Sequence, residues 1–183
     1  MQNSDTPKVS LLVPICNVER YLRECLDSAV AQTLKDIEII CINDGSTDSS
    51  PDIIREYMER DPRVKMIDKV NSGYGDSMNR GLEMARGEYV GILESDDFMF
   101  EDSLQKLVAK ADAEHADVVK GDFYLYWSTP SERRELFGII DEHMTGAAYR
   151  PVDRPGIFYR KPSIWSAIYR REFLNLSLIH ISE

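Results

Sequence analysis

Residues 9–30 read VSLLVPICNVERYLRECLDSAV, and this stretch decides the fold. Residues 9–13 form a continuous apolar run, which is typical of a strand that is covered on both faces. Within residues 18–30 the apolar residues recur at spacings of three and four, which indicates a helix with one apolar stripe. A buried strand that leads directly into an amphipathic helix is the first part of a parallel-sheet crossover unit.

The same alternation of strand and helix patterns continues to about residue 121. Further apolar runs rich in Val and Ile occur at residues 37–42, 64–67, 89–93 and 118–119. Helical spacing separates them, and Ser50 before Pro51 predicts a helix start with the serine as cap, whereas Gly87 predicts a helix end. We therefore expect an α/β fold, a Rossmann-like and mostly parallel sheet with helices on both faces.

The periodicity fades after Asp122. Residues 128–162 are polar and rich in Pro, Gly and Arg, which predicts loops or a meandering extension. Residues 164–174 carry Trp165, Tyr169 and Phe173 at four-residue spacing, which predicts a last helix. Residues 177–183 fit no expected continuation, so we expect a truncated or non-native tail outside the fold.

Length and composition limit the class of protein. The chain has 183 residues, enough for one domain, and a formal net charge of -10, which disfavours nucleic acid as a partner. Cys16, Cys25 and Cys41 lack metal-ligand spacing, so we expect small, reduced core residues. No signal peptide pattern precedes the first apolar run and no apolar segment has the length of a membrane span, so we expect a cytoplasmic location.

Polar residues collect where the predicted strands end. The four ends read PICN (14–17), NDGSTD (43–48), NSGYG (71–75) and ESDD (94–97). Because ligands of open α/β sheets bind outside the carboxyl ends of the strands, these residues predict a polar cleft at one edge. Neither a P-loop nor a G-x-G-x-x-G sequence is present, which argues against a Rossmann dehydrogenase.

The fourth strand end places Glu94, Asp96 and Asp97 within four residues. Mg²⁺ or Mn²⁺ would relieve the repulsion between these carboxylates, since both ions prefer oxygen ligands. One aspartate on the metal and its neighbour on a ribose hydroxyl would account for the pair. The alternative, in which Asp96 and Asp97 only end the strand and cap the next helix, is equally favoured by the spacing.

Two other strand ends offer contacts for a nucleotide. The Asp44 carboxylate could accept an N–H of a base from a tight turn through Gly45, although an Asx turn without a ligand is the commoner reason for such a sequence. The glycine-rich segment 71–79, which leads into a helix, could present backbone N–H groups to phosphate.

These motifs, in this order and spacing, resemble those of family 2 glycosyltransferases. The match covers residues 8 to about 125 and rests on segments 9–22, 43–48, 71–82 and 87–97. It implies a GT-A fold, a nucleoside-diphosphate-sugar donor with UDP as the expected nucleotide, and a divalent cation. It also implies a glycan or lipid-linked acceptor, a role in polysaccharide biosynthesis, and a full-length protein that could associate peripherally with a membrane.

The resemblance also implies which residues meet the donor. Asp44 would contact the base, with Pro14 and Cys16 beside it through backbone groups, while Asp96 would contact the ribose and Asp97 the metal. The donor-binding set carried over from the matching motifs is Pro14, Cys16, Asn17, Glu19, Asp44, Gly45, Asn71, Gly73, Asn79 and Asp96. The sequence departs from the family pattern at Glu94, where aspartate is common, and at Ser77-Met78, where Ala-Arg is common.

The catalytic base stays unassigned. An inverting transfer needs a group that takes the acceptor's proton, and in the family this carboxylate lies downstream of a segment like 164–174. The candidates in this chain match no family motif, and they are Asp122, Asp141, Glu142, His143, Asp153 and Glu172.

Two functions remain open. One is an inverting glycosyltransferase, shortened at its C-terminus, with a nucleotide-sugar-binding core (1–125), the start of an acceptor-side region (126–176) and a tail (177–183). The other is a fragment that binds a nucleotide sugar without transferring it. A nucleotidyltransferase would carry a glycine-rich loop with Arg and Lys after the first strand, and residues 14–19 lack one.

Overall fold

The computed structural model describes residues 6–138, 148–154 and 163–178. Its strands are β1 (Val9–Ile15), β2 (Ile37–Asp44), β3 (Val64–Lys69), β4 (Tyr89–Ile92), β5 (Val118–Lys120), β6 (Phe123–Trp127), β7 (Arg133–Phe137) and β8 (Ala167–Arg170). Six of them form one sheet in the order β3-β2-β1-β4-β8-β5. The first four strands pair in parallel, and β8 runs antiparallel between β4 and β5. The predicted mostly parallel α/β sheet is confirmed.

Helices cover both faces of this sheet, as predicted. They are α1 (Glu19–Val30), α2 (Ser50–Arg60), α3 (Tyr74–Met84), α4 (Ser103–Glu114) and α5 (Arg171–Leu178). The first, second and fourth helices share one core with β1 residues such as Leu11, whereas α3 packs against Leu12 on the other face. None of the helices in the described segments is long and apolar enough to cross a membrane.

The prediction of a helix over residues 164–174 is wrong for its first half. Ala167–Arg170 is a strand, because β4 and β5 supply backbone partners on both sides and Ile168 enters the core. A helix begins only at Arg171, so the three aromatic residues at four-residue spacing lie in a turn, a strand and a helix in that order. Tertiary pairing outweighs the local pattern at this position.

The prediction of loops or a meandering extension over residues 128–162 did not identify a hairpin. Strands β6 and β7 form a two-stranded antiparallel sheet with Phe123 opposite Phe137 and Trp127 opposite Arg133. The residues of β6 alternate between half-buried and exposed, but all five are apolar or aromatic, so the period of two is invisible in the sequence.

Three smaller predictions are also corrected. Ser49, not Ser50, occupies the cap position of α2, since Ser50 is the first helical residue, and the Ser50 hydroxyl instead accepts a hydrogen bond from the Val18 N–H. Helix α3 ends at Met84, and Gly87 instead allows close approach to β1, since a Cβ there would lie 2.4 Å from the Ser10 nitrogen. Cys16 is exposed rather than part of the core, because it lies just beyond the end of β1.

Candidate functional site

The loops after β1 and β2 are joined by reciprocal hydrogen bonds. Asn17 adopts φ +55°, and its side-chain oxygen accepts the Thr47 N–H at 2.8 Å. Glu19 accepts the Ser49 N–H at 2.8 Å, while Asp48 accepts the Glu19 N–H at 3.0 Å. Asn17 and Glu19, which were predicted to bind donor, therefore hold two loops of the cleft together in this structure, and their contact with donor stays a prediction.

Asp44 ends β2 in a buried position and its carboxylate has three partners. Lys69 Nζ lies 2.5 Å from Oδ1, the Ser72 N–H donates to the same oxygen at 2.8 Å, and the Gly73 N–H donates to Oδ2 at 3.0 Å. Burial alone would raise the pKa of Asp44, but these three donors outweigh it and hold the pKa below its usual range. Asp44 is thus a fixed, ionised acceptor, and the N–H groups of Ser72 and Gly73 are already in use.

Asn71 connects the ends of three strands. Its amide donates to the Asp44 carbonyl at 3.0 Å and approaches Cys16 Sγ at 3.4 Å. Gly45 adopts φ +65°, and a Cβ there would lie 2.6 Å from the Asn71 nitrogen, so this turn requires glycine. The structure therefore brings Cys16, Gly45, Asn71 and Asp44 together as predicted, with Pro14 buried in the strand below.

Asp44, Asn71, Asp96 and Asp97 lie where their strands end, and we call this edge of the cleft the rim. Tyr74 joins the acidic end of β4 to the rest of the rim. The Tyr74 hydroxyl donates to Glu94 Oε1 at 2.7 Å. Burial raises the pKa of Glu94 even though this hydrogen bond lowers it. Burial also raises the pKa of Asp97 to about 6, with the charges of Asp96 and Glu94 adding to the effect. A proton or a cation near Asp97 is therefore stabilised.

This charge distribution fits a divalent cation that keeps most of its ligands outside the protein. No group of three or more His, Cys, Asp or Glu side chains in the described ranges is arranged to hold a metal ion. Mg²⁺ typically uses one or two carboxylates together with substrate phosphates and water, so Asp97 with its neighbours is a sufficient protein contribution.

A cavity of about 570 Å³ opens beside the acidic motif. Its lining includes Asp96 and Asp97 of the acidic motif, Leu104 and Leu107 of α4, and Trp165 with aromatic residues of β6. Phe123 packs edge-to-face on Trp165 with ring centroids 4.5 Å apart, which restrains both rings. The cavity combines carboxylates with aromatic side chains, an arrangement that suits a polyhydroxylated ligand.

The base candidates differ in where they lie. Asp122 lines the cavity. Asp153 forms an ion pair with Arg150 in an exposed turn, and Glu172 is exposed in the first turn of α5. Asp141, Glu142 and His143 lie outside the described residues. Asn79, predicted to bind donor, lies exposed in the second turn of α3.

Sequence reasoning missed two residues of the site. Lys69 contacts Asp44, and a signal existed, since a lysine that ends one strand beside the aspartate that ends the neighbouring strand indicates an ion pair. Tyr74 contacts Glu94 across twenty residues of sequence, and no local pattern indicates that contact.

Comparison with known proteins identifies the family to which the sequence is similar. A family model described as Glycosyl transferase family 2 matches residues 10–175. The chain is 35% identical over 171 residues to the uncharacterized glycosyltransferase EpsJ of Bacillus subtilis, which covers 91% of this chain and 48% of EpsJ. It is 39% identical over 142 residues to the glycosyltransferase GlyA of Streptococcus pneumoniae, which covers 78% of this chain and 19% of GlyA.

A solved structure shares the fold as well. S. aureus TarS 1–349, in complex with UDP-GlcNAc, superimposes with a TM-score of 0.78 at 27% identity, over 94% of this chain and 48% of that one. This similarity confirms the predicted GT-A fold. The chain spans about half the length of EpsJ and of the TarS chain. Because the family model matches most of the sequence, the chain belongs to glycosyl transferase family 2.

Proposed function

We propose that this chain carries the donor site of an inverting glycosyltransferase that uses a UDP-sugar and transfers the sugar to an acceptor hydroxyl. One observation carries the proposal: a continuous path of contacts runs from Asp44 through Gly73 and Tyr74 to Glu94, beside Asp97. It joins an ionised acceptor suited to a base N–H with a carboxylate cluster suited to a cation, as a nucleotide diphosphate requires. The UDP-GlcNAc complex of TarS, at 27% identity, supports the choice of nucleotide.

The donor would lie along this path. Asp44 accepts a hydrogen bond from the base, with Pro14 and Cys16 beside it through backbone groups, and Asp96 accepts one from the ribose. Asp97 would hold Mg²⁺ or Mn²⁺ together with the diphosphate. When bound, the cation offsets the negative charge that grows on the departing diphosphate. Without it, three carboxylates repel the donor.

The acceptor would enter the cavity beside Asp97. A glycan or lipid-linked sugar presents ring faces to Tyr124 and Trp165 and its hydroxyl to the acidic end. The acceptor oxygen forms a bond to the anomeric carbon while the bond from that carbon to the diphosphate breaks and the diphosphate leaves with the electron pair. The hydroxyl proton passes to a carboxylate, for which Asp122 is the candidate that lines the cavity.

Calorimetry with UDP and MnCl₂ tests the donor site. We expect UDP to bind, and Asp44→Ala to weaken binding strongly, because a charged acceptor and the partner of two loop N–H groups are lost. Asp36→Ala is the matched control, since Asp36 is an exposed aspartate just before β2 and Asp44 ends the same strand. Unchanged UDP affinity in Asp44→Ala would contradict the assignment of Asp44 as the residue that contacts the nucleobase.

Chelation tests the cation separately. EDTA or Asp97→Asn should reduce UDP affinity by about 1–3 kcal/mol, the loss expected when a charged partner is removed. If EDTA leaves the affinity unaltered, the acidic cluster has a structural role.

The second candidate function is donor binding without transfer. The observation that favours it is the coverage of the relatives, since the chain matches 48% of EpsJ. UDP binding together with no detectable transfer, across sugar donors and glycan acceptors, would support this alternative.

A further inference from the structure

Lys69 lies beside Asp44, and every N–H donor of its ammonium group has an acceptor. The two residues face each other in the register of β2 and β3, at the last pair before both strands end. Lys69 Nζ lies 2.5 Å from Asp44 Oδ1, 2.5 Å from Ser72 Oγ and 3.1 Å from Asp76 Oδ2. An ammonium group has three N–H donors, and these three acceptors use them all. Lys69 is therefore committed to the protein, and it has no donor to spare for a phosphate.

The same contacts restrict what Asp44 can accept. A carboxylate has about four lone-pair positions. Lys69 and the Ser72 N–H occupy two on Oδ1, and the Gly73 N–H occupies one on Oδ2. Asp44 is therefore left with a single acceptor position, on Oδ2.

We infer that Lys69 is the positioning residue that sets base specificity at this site. Its ion pair with Asp44 holds the carboxylate so that the one remaining acceptor position, on Oδ2, faces the pairing edge of a nucleobase. This inference rests on the proposed donor site and adds a residue to it. One fixed acceptor favours a base with a ring N–H at the centre of its pairing edge, as in uracil or guanine. It disfavours cytosine and adenine, because their ring nitrogen at that position is itself an acceptor and two facing acceptors repel, while their amino group could reach Asp44 only if the base shifted along its pairing edge.

Lys69 has a matched control in the same strand. Lys65 lies four residues earlier in β3, on the same face, and its Nζ lies 2.6 Å from a carboxylate oxygen of buried Glu38. Both lysines thus pair with a buried acidic residue of β2. Only Lys69 lies at the rim, so a general loss of stability affects both variants, whereas a loss of base specificity affects only the variant at Lys69.

Titration of the 183-residue chain with UDP and with CDP, both with MnCl₂, tests the inference. We expect the wild type to bind UDP at least roughly tenfold more tightly than CDP. Lys69→Met should lower UDP affinity about tenfold or more and CDP affinity less, so the ratio of the two affinities falls toward one. Lys69→Gln, which keeps a donor but loses the charge, should give an intermediate ratio. Lys65→Met should keep the wild-type ratio.

The outcomes separate the inference from the proposed function. If Lys69→Met is folded by circular dichroism and keeps the wild-type ratio, the inference is overturned while the donor site stands. If Lys69→Met does not fold, Lys69→Gln decides, and a wild-type ratio in that variant overturns the inference. If the wild type binds neither nucleotide, the proposed function fails and the inference fails with it.

Discussion

The hydroxyl of Tyr74 donates a 2.7 Å hydrogen bond to Glu94, so the first residue of α3 contacts the acidic end of β4. The preceding residue, Gly73, donates its N–H to Asp44 at the end of β2. The start of α3 therefore bridges the two parts of the rim that we assign to the base and to the cation. Removal of the Tyr74 hydroxyl should therefore alter the carboxylates at the cation end and leave the hydrogen bonds of Asp44 intact.

Tyr74→Phe removes this bridge and keeps the ring. Because the Tyr74 hydroxyl lowers the pKa of Glu94 against the effect of burial, its loss should raise that pKa further and weaken the cation end of the rim. We expect UDP affinity in MnCl₂ to fall by about 0.5–1.5 kcal/mol, the usual contribution of one hydrogen bond. Calorimetry measures the change in affinity, with Tyr21→Phe, at an exposed position of α1, as the control. Equal UDP affinities in the wild type, Tyr74→Phe and Tyr21→Phe would show that the Tyr74–Glu94 contact plays no part in donor binding.

Gly45→Ala should disrupt the rim by steric conflict. At φ +65° a side chain is strained, and the new Cβ would lie 2.6 Å from the Asn71 backbone nitrogen. We expect a loss of stability of about 1–3 kcal/mol, together with weaker UDP binding, measured by urea unfolding and calorimetry.

Gly75→Ala is the control for that experiment. Gly75 lies in the first turn of α3, and nothing lies within 4 Å of a Cβ built there. Alanine is the better helix former, so Gly75→Ala should be neutral or stabilising by up to about 1 kcal/mol. A Gly45→Ala protein as stable as Gly75→Ala would contradict the close approach of the two loops.

Asp97→Asn should stabilise the cation-free protein at neutral pH. The pKa of Asp97 is raised from its ordinary 3.8 to about 6, so the folded state holds a proton more tightly than the unfolded state does. The stability that Asp97 contributes is therefore complete below pH 4 and lost as pH rises through 6. Asp97 is exposed to solvent in the folded protein, and screening limits the gain on substitution to about 1 kcal/mol, or roughly 2–4 °C in Tm.

Thermal unfolding in EDTA at pH 7.5 and at pH 4.5 measures this gain. The Tm difference between Asp97→Asn and wild type should be largest at pH 7.5 and should shrink at pH 4.5. Asp36→Asn, at an exposed position before β2, should show no such pH dependence. MnCl₂ should raise the Tm of the wild type more than that of Asp97→Asn. An Asp97→Asn protein less stable than wild type at pH 7.5 would mean that the carboxylate has a stabilising partner.

The central sheet could be predicted because each of its parallel strands is indicated by a short stretch of sequence. The strands from β1 to β4 are short continuous apolar runs, each followed by a helix or turn sequence, and parallel strands bring their ends to one edge. Physical rules of connection then place Asp44, Asn71 and Asp97 on one rim without any structural information. The placement of the residues that we propose for donor binding follows from this topology.

What could not be predicted depends on contacts between distant residues. Strand β8 exists because β4 and β5 offer it backbone partners, and its own sequence favours a helical pattern. The roles of Lys69 and Tyr74 depend on side chains that reach across strands, which spacing does not encode. Asn17 and Glu19 were identified as site residues, but the loop-to-loop hydrogen bonds they make could not be read from the motif.

The last prediction concerns the proton acceptor. Asp122 follows β5 by two residues and lines the cavity together with Asp96 and Asp97, so it is the described candidate that can approach an acceptor hydroxyl near the donor. Asp122→Asn keeps the shape of the side chain but removes its capacity to take a proton. General-base assistance contributes about 10²–10⁴ in rate, so transfer by Asp122→Asn should fall by at least about a hundredfold while UDP affinity stays unchanged.

Transfer of sugar from UDP-sugars to glycan acceptors, measured beside UDP binding, distinguishes the possible roles of Asp122. Asp153→Asn is the control, because Asp153 forms an ion pair with Arg150 in an exposed turn and should have little effect on the rate. If Asp122→Asn transfers sugar as fast as wild type, the base is another group. If the wild-type chain binds UDP but shows no transfer, the result supports donor binding without transfer, and it contradicts the assignment of Asp122 as a base in this 183-residue chain.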